Sequence, residues 1–188
     1  MEEKTAWELL ERLGAARRGH FDEGDHHADL TVGGLRPLDA PAVVQSLAGA
    51  LAALLPAPSP DLVLVWDEMP AVLLGFLIGV AVERPVLRLA DDEGVVRASR
   101  DLQPGQRVVL VGDLLSERQV RLARAFVESR GATLSGTGAL VDDGRAGDLA
   151  AVVALAGHRF HRDDCPLCER NVPVDHPSGV PALARSTG

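Results

Sequence analysis

The spacing of apolar positions changes along this chain, and each change marks a different kind of element. Near the start, Trp7, Leu9, Leu10 and Leu13 recur at helical intervals, with Thr5 and Glu8 in capping-box register ahead of them and Gly14 as the stop. Residues 19–34 are rich in Gly, His and Asp and keep no sustained period, which predicts a loop with one short strand at 30–32. Asp39 opens a long Ala/Leu helix to about Leu55. Pro41 is tolerated in its first turn, where the missing N–H would have no intrahelical partner, and Pro56, Pro58 and Pro60 end it.

Beyond Pro60 the alternation disappears. Residues 61–66 (DLVLVW) and 107–111 (RVVLV) are unbroken apolar runs of strand length, as expected where both faces of a strand are covered; 85–89, 133–141 and 151–155 predict further strands. Residues 70–82 are apolar on every side and predict a buried helix. Asp92, Glu93 and Gly94 turn the chain back into a strand at 95–98, giving a hairpin, and 116–130 is an amphipathic helix with Ser116 and Gln119 in capping-box register. Strands alternating with helices predict parallel β-α-β units with right-handed crossovers, hence an α/β fold with an open parallel sheet and helices on both faces. Ligands of such sheets sit beyond the carboxyl ends of the strands, so chemistry is expected just after Trp66, Leu89, Val111 and Val141.

Composition narrows this picture. A chain of 188 residues with 46% hydrophobic content builds one main domain, expected over 1–176, with 177–188 as a mobile tail. The formal net charge of −8 disfavours nucleic acid and anionic membrane surfaces, both of which need concentrated Lys and Arg. The longest apolar run, 69–82, is short of the ~20 residues a membrane span needs. The opening residues lack the apolar stretch of a signal peptide. Cytoplasmic residence is therefore expected. Cys165 and Cys168, the two cysteines, form one CxxC, which is no disulfide framework of the secreted kind.

Several segments then stand in a familiar order: Gly19-His20-Phe21 followed by Gly24 and His26, the DLVLV strand, LQPGQRVVLVGD before a capped helix, GTGALVDD, and CPLCERNVP. In this order the chain resembles the orotate phosphoribosyltransferases along most of its length. The resemblance implies a type I phosphoribosyltransferase fold with a five-stranded parallel core at about 39–155 and a small hood from about 14–38 and 156–176. It also implies a homodimer, and transfer of ribose 5-phosphate from phosphoribosyl pyrophosphate to orotate with Mg²⁺.

Four departures fall where that substrate would touch. The resemblance implies two acids and a Thr-Thr-Gly-Gly-like turn after the third core strand, where backbone N–H groups close on the 5-phosphate. Here the turn reads Gly112-Asp113-Leu114-Leu115-Ser116-Glu117-Arg118-Gln119, so Asp113 retains a family acid and Ser116 a hydroxyl. Glu117 sets a carboxylate where phosphate would lie, a repulsion of ~1 kcal/mol at ~4 Å in water and ~4 at an effective dielectric of ~20. Arg118 stands beside it to neutralise the charge but adds bulk. The turn after the first core strand, implied to be glycine-rich, is Asp67-Glu68-Met69-Pro70. Asp143 stands where the resemblance implies an arginine for the orotate carboxylate, with Arg145 near. The stretch between Pro85 and Gln106 has no lysine to close over the substrate, Lys4 being the only lysine in the chain. These departures predict a catalytically silent protein, a binding or regulatory homodimer with a small-molecule ligand of unknown kind. The alternative is an active orotate phosphoribosyltransferase of pyrimidine nucleotide biosynthesis with remodelled loops.

A second candidate site is His158-x-x-His161-x-x-x-Cys165-x-x-Cys168, with His176 in reserve, whose four ligands suit tetrahedral Zn²⁺ in a metal-stabilised interaction module. The bland alternative is that the cysteines are small buried side chains fastening the chain end. His20, His26 and His27 are expected to be solvated loop residues, with a general base in the cleft as the sharper alternative. Asp67, Glu68, Asp113, Asp142 and Asp143 are expected to form an acidic rim, solvated or holding a divalent cation. Trp66 and Met69 are expected to pack in the core or act as a lid.

Overall fold

The computed structural model describes residues 2–32, 40–56, 59–144, 146–155 and 157–175. Helix α1 (Glu3–Arg12) precedes a hairpin of β1 (Ala16–Asp22) and β2 (His26–Val32); α2 (Pro41–Leu54) leads to β3 (Leu62–Trp66) and α3 (Met69–Val82). Strands β4 (Val86–Asp92), β5 (Val95–Ala98) and β6 (Arg107–Gly112) follow, then α4 (Glu117–Ser129), β7 (Thr133–Asp142) and β8 (Ala150–Ala154). The described chain ends with β9 (Arg159–His161), a 3-10 turn at Arg162–Asp164 and the short helix α5 (Pro166–Glu169).

The main sheet has the order β5-β4-β3-β6-β7-β8, in which β4, β3, β6, β7 and β8 pair in parallel and β5 returns antiparallel along β4. Both faces are covered, which accounts for the unbroken apolar runs of β3 and β6. Val63, Val65, Val109 and Val111 pack with Leu47, Leu51, Leu74 and Ile78 of α2 and α3. Leu62, Leu64, Trp66 and Leu110 pack with Phe126 and Val127 of α4. At the β4–β5 turn Glu93 (φ 51°) and Gly94 (φ 92°) are both left-handed, the geometry a two-residue hairpin requires.

Two sequence expectations fail here for physical reasons. Helix α1 starts at Glu3 after Glu2, which makes no side-chain cap, so Thr5 lies inside the helix and the Thr5–Glu8 box is not formed. Of the expected loop over 19–34, the described part is not mainly loop. Residues 19–22 and 26–32 belong to the antiparallel sheet β1-β2-β9, which stands where the hood is expected. Its alternation escapes a hydropathy reading because two inward positions are histidines, His20 and His27, only 2% and 5% exposed.

Helix α3 is buried on one face only. Gly75 and Gly79 let it lie against the sheet: a Cβ at Gly79 would stand 2.8 Å from the Arg84 carbonyl oxygen, and one at Gly75 would collide with Val65. The opposite face leaves Met69, Phe76 and Val80 exposed, so Met69 is not core, whereas Trp66 is. Among the described residues no helix is long and apolar enough to cross a membrane. The expected helix start at Asp39, Arg145, His176 and the 177–188 tail lie outside the described residues.

Candidate functional site

The loops after β3, β6 and β7 meet at the carboxyl end of the sheet. After β3, Asp67 Oδ1 accepts a hydrogen bond from Arg88 Nη1 at 2.9 Å, and Glu68 Oε1 accepts one from Gln119 Nε2 at 3.5 Å. After β6 the chain folds tightly on itself. A Cβ at Gly112 would stand 2.9 Å from Leu115 Cδ2, and Leu115 is buried. Ser116 caps α4: its Oγ accepts from the Gln119 N–H at 3.2 Å, while Gln119 Oε1 accepts from the Ser116 N–H at 2.9 Å. Those two amides are thus already partnered within the chain. Arg118 does not neutralise Glu117 as expected. Neighbouring residues on a helix diverge, so Arg118 reaches Asp91, and Glu117 pairs one turn on with Arg121 at 3.4 Å.

Asp113 sits between these loops. Burial pushes its carboxyl above the usual carboxylate range and the charge of Glu68 adds to the rise, while its own N–H and that of Leu114 partly offset both. A raised folded-state value means that the native protein holds this proton more tightly than the unfolded chain does. Its contribution to stability is therefore complete below the ordinary value of 3.8 and is lost as pH climbs through the raised one. Asp113→Asn removes the ionisation, so the variant is expected to melt above the parent near neutral pH, with the gap closing as pH falls toward about 4. Parallel pH series of thermal unfolding read this directly, and a gap independent of pH would contradict it.

Between hood and rim lies a narrow cleft lined by Glu23, Leu30 and Val32 of the hairpin, Leu114 and Asp143 of the rim, and Gly157 and His158. Its volume is about 40 Å³. That is close to one water's share of liquid, ~30 Å³, and far below the ~300–1,000 Å³ of small-molecule pockets. Asp143 lines this cleft, whereas Asp67, Glu68, Asp113, Ser116, Glu117 and Arg118 do not; those six stand in the loops after β3 and β6 and in the first turn of α4.

The cysteines find different histidines from those that spacing suggests. His20 Nε2 lies 2.8 Å from His27 Nδ1, 3.5 Å from Cys165 Sγ and 3.6 Å from Cys168 Sγ. His27 Nδ1 is 3.1 Å from Cys168 Sγ. His158 instead faces Asp29, Nδ1 to Oδ2 3.1 Å, and His161 lies beside Asp163. The cause is strand register. His161 pairs with His26 across β9 and β2, so those two share one face, while His27, next along β2, faces the other. His20 and His27 are thus not solvated loop residues. The signal for them was their position on either side of the Gly24 turn (φ 78°), on two strands that pair.

No family model matches the chain. An orotate phosphoribosyltransferase of Thermus thermophilus is 30% identical over 178 residues, which cover 89% of this chain and 97% of that protein. The crystal structure of orotate phosphoribosyltransferase from Aeropyrum pernix superposes with a TM-score of 0.62 at 19% identity, covering 79% of this chain and 92% of that one. The structure of Leishmania donovani UMP synthase gives 0.64 at 19% identity over 80% of this chain, which spans only 36% of the longer protein. Sheet order, hood and these superpositions define a protein of type I phosphoribosyltransferase fold. Within that class, the chain belongs to the orotate phosphoribosyltransferase family.

Proposed function

We propose that this family member does not transfer ribose 5-phosphate to orotate and serves as a binding or regulatory homodimer. One observation carries the reading: the amides that a phosphate would need after β6 are engaged by the Ser116–Gln119 capping box, and Gln119 is further tied to Glu68. A phosphate entering there must displace a cap worth about 1 kcal/mol and lie against Glu117 as well. Mg²⁺ accompanies phosphoribosyl pyrophosphate in the family chemistry, and the acids of this rim fit it poorly. Asp67 is committed to Arg88, and burial makes the ionised form of Asp113 more costly than that of a free carboxylate. The homodimer is supported by the outer face of α3, where Met69, Phe76 and Val80 form an apolar stripe at helical spacing.

An active enzyme with remodelled loops is the second reading, favoured by a relationship that runs through 97% of the Thermus protein. Incubation with orotate, phosphoribosyl pyrophosphate and Mg²⁺ separates the two. No pyrophosphate above the uncatalysed background is expected. Release that scales with protein concentration, and stops when Asp113 is replaced, would establish the second reading instead.

A further inference from the structure

We propose that His20, His27, Cys165 and Cys168 bind one Zn²⁺, which fastens the C-terminal segment to the hood hairpin. The four side chains come from opposite ends of the sequence, and one ligand atom from each lies within 4.8 Å of all the others. Tetrahedral zinc, with Zn–N of about 2.0–2.1 Å and Zn–S of about 2.3 Å, needs ligand atoms roughly 3.3–3.8 Å apart. Of the separations between these atoms, 3.5 and 3.6 Å fall within that range and 2.8 and 3.1 Å lie a few tenths of an ångström below it, so small side-chain rotations suffice to admit the ion.

The orientation of His20 is a second, independent observation. Its Nδ1 lies 2.8 Å from the Val172 carbonyl oxygen, which accepts only a proton-bearing nitrogen. That contact fixes the tautomer, places the lone pair on Nε2 and aims it at the other three ligands. Metal-bound histidines are held in this way, with the distal N–H on a backbone carbonyl. Val172 belongs to the same C-terminal segment as the cysteines, so the segment supplies two ligands and also orients a third.

Local structure prepares the cysteines. Pro166 opens α5 directly after Cys165, and the single turn that follows carries Cys168 to the same side. The segment is then drawn along the hairpin by backbone bonds, Asp175 N–H to the His20 carbonyl at 2.7 Å and Asp22 N–H to the Asp175 carbonyl at 3.0 Å. His20, His27 and Cys165 are buried and Cys168 is at the surface, which leaves an entry path for the ion. Four imidazole and thiolate donors complete a tetrahedron with no position left for substrate, so the site is structural. It reinforces the β2–β9 pairing and the Asp175 backbone bonds that already join these two parts of the chain, and the binding free energy of the ion becomes folding free energy of the sheet they form. The inference stands apart from the rim and holds whether or not phosphoribosyl pyrophosphate is a ligand.

The test begins with protein purified without added metal or chelator. Elemental analysis is expected to find about one zinc per chain. Cys168→Ser and His27→Ala are expected to lower zinc content at least tenfold, while His158→Ala and His161→Ala leave it unchanged. Because a ligand variant can lose metal simply by misfolding, the unmodified chain supplies a second readout. After chelation and reloading with Co²⁺ it should show the intense visible bands of tetrahedral cobalt together with thiolate-to-cobalt charge transfer. Zinc near zero after loading, a weak octahedral cobalt spectrum, or a Cys165–Cys168 disulfide in freshly isolated protein would each overturn the proposal. So would loss of zinc from the His158 and His161 variants alone.

Discussion

Phe76→Glu is expected to turn a dimer into a monomer without unfolding it. Phe76 is 60% exposed in the single chain, flanked on the same face of α3 by Met69 at 64% and Val80 at 62%. Helix α3 is apolar on every side, yet Gly75 and Gly79 press only its inner face against β3 and β4, so the sequence supplies a second apolar face that the described residues leave exposed. An aromatic anchor in an interface is worth about 2 kcal/mol or more, and a two-fold axis presents it twice. Roughly 4 kcal/mol corresponds to about a thousandfold in dimer Kd, before the cost of burying two carboxylates is added. Sedimentation velocity over a concentration series reads this. The parent should run as a dimer and the variant as a single chain with an unchanged melting profile of its core. A parent that sediments as a single chain would refute the proposed interface, and a variant that remains dimeric would move it elsewhere.

Leu110→Ala is expected to cost the largest share of stability of any single truncation considered. Leu110 is fully buried on the central strand β6, in the layer that holds Leu64, Phe126 and Val127. Strands on both sides and α4 above leave little freedom for collapse into the void. Large-to-small changes at such sites cost about 2–5 kcal/mol, against a total stability of about 5–15 kcal/mol. Urea unfolding should show a lower midpoint with an unchanged slope, since the surface exposed on unfolding hardly changes. A loss below about 1 kcal/mol would mean that the sheet repacks around the gap, contrary to the close packing described for its two layers.

How much of this was legible in the sequence depends on what each segment spends its residues on. The core was legible because β3 and β6 are buried on both faces and must be continuously apolar, and because the Ser116–Gln119 box and the Glu93-Gly94 turn are local devices with local signatures. The hood was not. Its inward positions carry His20 and His27, polar by any hydropathy measure, so a strand pair looked like a histidine-rich loop. The same blindness paired the cysteines with other histidines: spacing in the chain favours His158 and His161, but strand register turns His161 to the face opposite His27, and His158 faces Asp29. At the rim the sequence names the residues but not their pairings. Which cation reaches Glu117 depends on helix geometry, and which amides remain open to a phosphate depends on Gln119 folding back on Ser116.

The central claim is that a rim whose amides and acids are already engaged by its own side chains does not seat a polyphosphorylated sugar, and thermal unfolding in the presence of that sugar and Mg²⁺ tests it most directly. A ligand that binds only the native state at about a hundred times its Kd stabilises it by about 2.7 kcal/mol, which for a domain of this size raises the melting temperature by roughly 5–10 °C. The engaged rim predicts superimposable melting curves with and without millimolar phosphoribosyl pyrophosphate; a saturable rise of several degrees would contradict it.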